Sequence, residues 1–170
     1  PTGMKNPARS RRGFSFSWML HRRHEPDIYA GLCYALAVSY AIIDHTADLG
    51  IEVRAPGVSE LFSEAARALI EIMGAEAASP EREIMLTVEG YDPEDLLVRW
   101  LEEIRFRIES HTMGIARQTI DTLTAQRLEA RIEVARRTTP LKTCIKAVTY
   151  HALKILQVDN HFQTTIIFDT

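Results

Sequence analysis

"IMLTVEGYDPEDLLVRWLEEIRFRI", residues 84–108, changes its hydrophobic period partway along. Ile84, Leu86 and Val88 fall on every second position, the repeat of a strand with one buried face. Leu97, Trp100, Leu101, Ile104 and Ile108 then recur at three and four positions, which places them in one stripe of a helix. The join is "EGYDPED", residues 89–95, a turn and a helix start. Asp92 can serve as N-cap, Pro93 suits the first helical position, and Glu94 and Asp95 favour the positive end of the helix. His111 and Gly114 lie near its end.

Outward from this stretch the same two periods recur. Residues 40–44 and 49–54 read as short strands, with Ile51 and Val53 alternating against Glu52 and Arg54. "APG", residues 55–57, breaks the pattern, after which Ser59 can cap a helix with Glu60 in its first turn. Val58, Leu61, Phe62, Ala65, Leu69, Ile72 and Met73 share one face of that helix, and Gly74 is a fitting stop. Downstream, residues 115–122 and 127–136 read as a hairpin in which Leu128, Ala130, Ile132 and Val134 point one way. Residues 147–156 and 164–169 read as a second hairpin around "VDNH". The expected fold is α+β: a single two-layer domain, mostly antiparallel sheet of six to seven strands, with two main helices on one face.

The 170 residues suit one domain with a sizeable core, and 46% hydrophobic with 25% charged residues is ordinary for a globular chain. A net charge of -3 argues against broad, sequence-independent nucleic-acid binding. Cys33 and Cys144 form no CxxC pair, so they indicate neither a disulfide framework nor a zinc motif and suit a reducing compartment. No apolar run has the length of a membrane span. Residues 1–39 differ from the rest: Lys5, Arg9, Arg11, Arg12, Arg22 and Arg23 stand against Glu25 and Asp27. "ALAVS" imitates a signal-cleavage site and "SRRGF" resembles a twin-arginine signal, but Arg22, Arg23, Glu25 and Asp27 interrupt the apolar core that such signals need. The division adopted is a basic, poorly packed N-terminal extension over 1–39 and a domain over 40–170.

Asp44, His45 and Asp48 stand within five positions at a strand end, in "IIDHTADLGI". Two readings remain open: a metal or acid–base site, or turn chemistry in which Asp and His bond nearby backbone amides. Spacing alone favours the turn, because no second cluster has the rigid spacing of a zinc motif. The final "IIFDT" adds Asp169 and Thr170, the latter expected to contribute its terminal carboxylate. If that last strand lies beside residues 42–48, Asp48, Asp169 and Thr170 converge. Their hard oxygens would suit calcium, magnesium or manganese. Lys146 is a candidate phosphate or carboxylate partner, and His151 reads best as a structural histidine. No phosphate-binding glycine loop, nucleophile elbow or HExxH occurs, and the helix from Asp92 is explained by folding alone.

Four segments together resemble the archease family: "DHTADLGI" (44–51), "EGYDPEDLLVRWLEEI" (89–104), "KAVTYHAL" (146–153) and the terminal "IIFDT". They occur in the family's order and cover residues 40–170, leaving residues 1–39 without a counterpart. The resemblance implies a sheet carrying two helices with a divalent-cation site at one end, and a protein cofactor rather than an independent enzyme. The implied partner is an RtcB-type RNA ligase, which joins RNA ends with GTP and manganese in tRNA splicing or RNA repair. The implied role is to promote guanylylation and multiple turnover of that ligase in the cytoplasm, with an indirect link to RNA and no membrane. Asp48, Asp169 and Thr170 would hold the cation, Asp44 and His45 would support them, and Lys146 matches a functionally important lysine. Two alternatives stand beside this: an independent metal-dependent phosphoesterase, and a chaperone or modulator of RNA-modifying enzymes. A turnover assay of the isolated protein isolates the first alternative, and ligase assays with and without the protein isolate the second.

Overall fold

The computed structural model describes residues 39–44 and 49–170, with the backbone alone for Asp44. Apart from Ser39, the expected N-terminal extension lies outside the described residues. In chain order the elements are β1 (Ser39–Asp44), β2 (Leu49–Ala55), α1 (Val58–Met73), β3 (Arg82–Glu89), α2 (Pro93–Ser110), β4 (Met113–Leu123), β5 (Arg127–Arg136), β6 (Ala147–Val148), β7 (Leu156–Val158) and β8 (His161–Asp169). Among the described residues the fold is α+β, with two helices and antiparallel strands.

The strands form two hydrogen-bonded sheets. One runs β1-β2-β8-β6, with β7 also pairing β8; the other runs β3-β5-β4. The helices pack on each other, α1 also touching β2 and β4 and α2 touching β3, β4 and β6. The buried stripe of α2 comprises Leu97, Trp100, Leu101, Ile104 and Ile108, and α1 buries Leu61, Phe62, Ala65, Leu69 and Met73 against it. Ile51, Val53, Ile166 and Phe168 close the core from one sheet, and Leu128, Ala130, Ile132 and Val134 from the other. Trp100 Nε1 donates to the Phe62 carbonyl at 3.3 Å, which satisfies the indole N–H inside the core.

Helix ends follow local chemistry. Asp92 caps α2 by accepting from the Asp95 N–H at 2.8 Å, with Pro93 in the first turn. Gly74 ends α1 at φ 66°, and its N–H and that of Ala75 bond back to Glu71 and Ile70. Ser59 does not cap α1. Gly57 takes that position in an extended conformation, and the helix begins one residue before Ser59.

Residues 147–156 are not one strand either. β6 and β7 are separated by a turn in which Ala152 has φ 56°. The Lys146 and Thr149 N–H groups bond β8, and the chain then leaves the ladder in a turn closed by the Leu153 N–H on the Tyr150 carbonyl at 3.3 Å. The Val148 N–H bonds Glu102 Oε1 at 2.5 Å and the Ile155 N–H bonds Glu94 Oε1 at 3.3 Å, so carboxylates of α2 hold the chain on both sides of that turn.

Candidate functional site at the end of the β2–β8 pair

The pairing register brings the quoted motifs to one end of the five-stranded sheet. Leu49 lies opposite both Asp44 of β1 and Phe168 of β8, and Phe168 lies opposite Val148 of β6. Asp169 is the next residue along β8, paired with Ala147. The last strand therefore lies beside residues 49–55, with β1 one strand further away. His45 and Asp48 lie outside the described residues, as does the side chain of Asp44.

Lys146 is bound twice to the end of β8. Its backbone N–H donates to the Asp169 carbonyl at 2.7 Å, and its ammonium donates to the Thr170 main-chain oxygen at 2.7 Å. All three residues are exposed, so the arrangement faces outward. Among the described residues no three His, Cys, Asp or Glu side chains are grouped to hold a metal ion. What they offer at this end is the Asp169 carboxylate and the Thr170 oxygen. Both are hard donors, and the second already accepts a cationic donor. These groups match calcium, magnesium or manganese in kind, and a complete shell would need further oxygens such as the Asp48 carboxylate.

Sequence reasoning assigned α2 to folding alone, but three of its acids also hold the Lys146 segment in place. Glu102 takes the Val148 N–H with Oε1 and the Arg105 guanidinium with Oε2 at 2.8 Å. Arg105 also reaches Glu109 and, at 3.5 Å, the Ile145 carbonyl, one residue before Lys146. Asp95 is buried and accepts from Tyr150 Oη at 2.6 Å, from the Tyr91 N–H at 2.9 Å and from Arg99 Nε at 2.7 Å. The Tyr150 hydrogen bond is the main reason its carboxyl titrates below the usual range, and the same bond raises the Tyr150 phenol. "EGYDPEDLLVRWLEEI" and "KAVTYHAL" are thus two halves of one hydrogen-bonded unit. The sequence signal was the surplus of acids on a helix whose arginines, Arg99 and Arg105, stand at i+4 and i+3 from Asp95 and Glu102. His151 lies exposed in the turn, its N–H 3.4 Å from Thr149 Oγ1.

Comparison with known proteins gives a consistent relationship. The profile of the Archease protein family matches residues 40–170. The protein archease of Methanopyrus kandleri is 34% identical over 134 residues, which cover 75% of this chain and 96% of that protein. That of Sulfurisphaera tokodaii is 28% identical over 137 residues, covering 76% and 97%. Among solved structures, a Thermotoga maritima archease described as a possible chaperone superposes with a TM-score of 0.58 at 26% identity, covering 75% of this chain and 94% of that one. The solution structure of a Methanobacterium thermoautotrophicum protein gives a TM-score of 0.58 at 26% identity, covering 77% and 98%.

Proposed function

The chain belongs to the archease family, and we propose that it acts as a divalent-cation-binding activator of an RtcB-type, GTP-dependent RNA ligase. In this reading it promotes guanylylation and repeated turnover of the ligase without itself catalysing the reaction. Asp48, Asp169 and the Thr170 main-chain oxygen hold the cation, supported by Asp44 and His45, and Lys146 contacts a phosphate or carboxylate of the partner. The role places the protein in the cytoplasm with GTP and RNA.

The observation that carries this reading is the outward-facing pair formed by Lys146 and Thr170 at the end of β8. A cation bound beside it would neutralise the carboxylates and present open coordination positions to oxygen ligands of a partner. The chain's own residues supply rigidity. Glu102 and Arg105 hold the backbone on the two sides of Lys146 and Asp95 holds the Tyr150 hydroxyl, so the ammonium is presented from a fixed segment. Preorganisation of this kind lets a non-catalytic protein shape another protein's nucleotide site.

Guanylylation and multiple-turnover ligation, measured with and without catalytic amounts of this protein, test the role. Lys146→Ala and Asp169→Ala should abolish the stimulation while leaving thermal melting unchanged. In calorimetric titrations with calcium and manganese, Asp169→Ala alone should weaken binding. Rates that the wild-type protein leaves unchanged at every manganese concentration would falsify the activator role.

A further inference from the structure

Three arginines converge on a second site, in the other sheet. Among the described residues, every arginine except Arg82, Arg136 and Arg137 has a carboxylate within 4 Å. Those three, with His111, line a single cleft of about 410 Å³. We propose that this cleft binds single-stranded nucleic acid, taking a phosphodiester between Arg82 and Arg136 and a base against Phe106.

The strand register builds the cleft. Arg82 lies opposite Val134, and Arg136 is two residues further along β5, opposite Met113. Directly opposite residues share a face, so Arg82 and Arg136 are diagonal neighbours on the face that carries the buried Val134. They occupy the end of that face, where α2 has stopped at its C-cap His111 and no longer covers the sheet. Both side chains are exposed. Arg137 has a structural role: its guanidinium donates to the Thr139 carbonyl and, at 3.5 Å, to the Ile108 carbonyl in the last turn of α2. The one acid on the lining, Glu81, accepts from the Arg136 backbone N–H at 3.2 Å and from neither exposed guanidinium. Two cationic forks thus remain open toward a concave space. Guanidinium matches phosphate oxygens in a bidentate geometry.

The neighbouring aromatic selects nucleic acid over an acidic peptide. Phe106 is 45% exposed and meets His111 edge-on, with ring centroids 5.4 Å apart. The contact sets one ring's edge against the other's face, and the exposure of Phe106 leaves apolar ring surface beside His111 of the cationic cleft. The patch is two guanidiniums wide, a local site and not the broad basic surface that the net charge of -3 argues against. A base can stack on its aromatic neighbour, whereas an aspartate or glutamate side chain has no group to fill it. The inference does not depend on the ligase reading, since it uses none of Asp48, Asp169, Thr170 or Lys146.

The test is fluorescence anisotropy of a labelled oligouridylate with the full chain at low salt, repeated with an abasic oligomer and with an oligoglutamate peptide of equal charge. The oligouridylate should bind, more weakly as salt rises. Arg82→Ala and Arg136→Ala should each weaken it about tenfold. Arg131→Ala removes the same charge from a guanidinium paired with Asp121 and should leave binding unchanged. Phe106→Ala should weaken oligouridylate binding about fivefold or more and leave the abasic oligomer unaffected. Because these side chains are exposed, the variants should melt like wild type. No binding at low salt, an equal loss with Arg131→Ala, or oligoglutamate binding as tightly as oligouridylate would each overturn the proposal.

Discussion

Asp95 shows how much one buried side chain can organise. Its two oxygens take a phenol, a backbone amide and a guanidinium from three parts of the chain. Arg99 is about half exposed, so its ion pair is screened and contributes little. The Tyr150 and Tyr91 bonds carry the effect. Because the folded-state pKa of Asp95 is lowered, its contribution is fully present above the unfolded value of about 3.9 and is lost as pH falls through the folded value. The melting-temperature gap between wild type and Asp95→Asn should therefore be widest near neutrality and close in acid. A gap independent of pH from 7 down to about 2 would contradict this account. Tyr150→Phe should cost about 1 kcal/mol and move the Asp95 carboxyl, followed by NMR titration, back toward its ordinary range.

Among the elements, α2 has the widest reach. Its N-terminal turn is set by Asp92 and by the close approach of Gly90, where an added Cβ would lie 2.7 Å from the Leu96 nitrogen and 2.8 Å from its Cα. Both contacts are with backbone, so the helix start would have to shift. Asp92→Ala should lower unfolding stability by about 1 kcal/mol through loss of the cap. Gly90→Ala should cost at least as much by steric displacement, as read from urea unfolding. An Asp92→Ala variant as stable as wild type would show the cap to be dispensable. Because Asp95 and Glu102 lie on the same helix, a displaced α2 should also loosen the segment around Lys146, seen as faster amide exchange at Val148 and Thr149.

At the scale of the molecule, one core joins the two sheets and both helices. Trp100 bonds the Phe62 carbonyl and both side chains are fully buried, so Trp100→Ala should destabilise by about 3–5 kcal/mol. The core residues of the described chain begin in β2, which motivates a whole-molecule prediction about the preceding segment. A protein starting at residue 39 should melt within a degree or two of the full chain and keep its far-ultraviolet circular dichroism, the "degree or two" being roughly the shift of a few tenths of a kcal/mol. A large drop in melting temperature would assign residues 1–38 a place in the folded domain.

Periodicity and end chemistry determined most elements on their own, the Ser59 cap and the 147–156 strand excepted. The alternation at Ile84, Leu86 and Val88, the stripe from Leu97 to Ile108, the Asp92 cap and the Gly74 stop all depend on neighbours a few residues away, and all appear in the structure. The α+β class followed from those local signals. Only tertiary structure decided which strands share a sheet, because pairing depends on contacts between residues far apart in sequence. It also decided that β8 lies against β2, bringing Asp169 to the end where Leu49 begins. It split residues 147–156 into two strands at the turn around Ala152, which Glu94 and Glu102 of a helix about fifty residues upstream hold from either side. In the same way, a list of arginines carries no sign of which ones find a carboxylate. Arg82 and Arg136 become a paired cationic surface only when β3 and β5 align and α2 ends short of them.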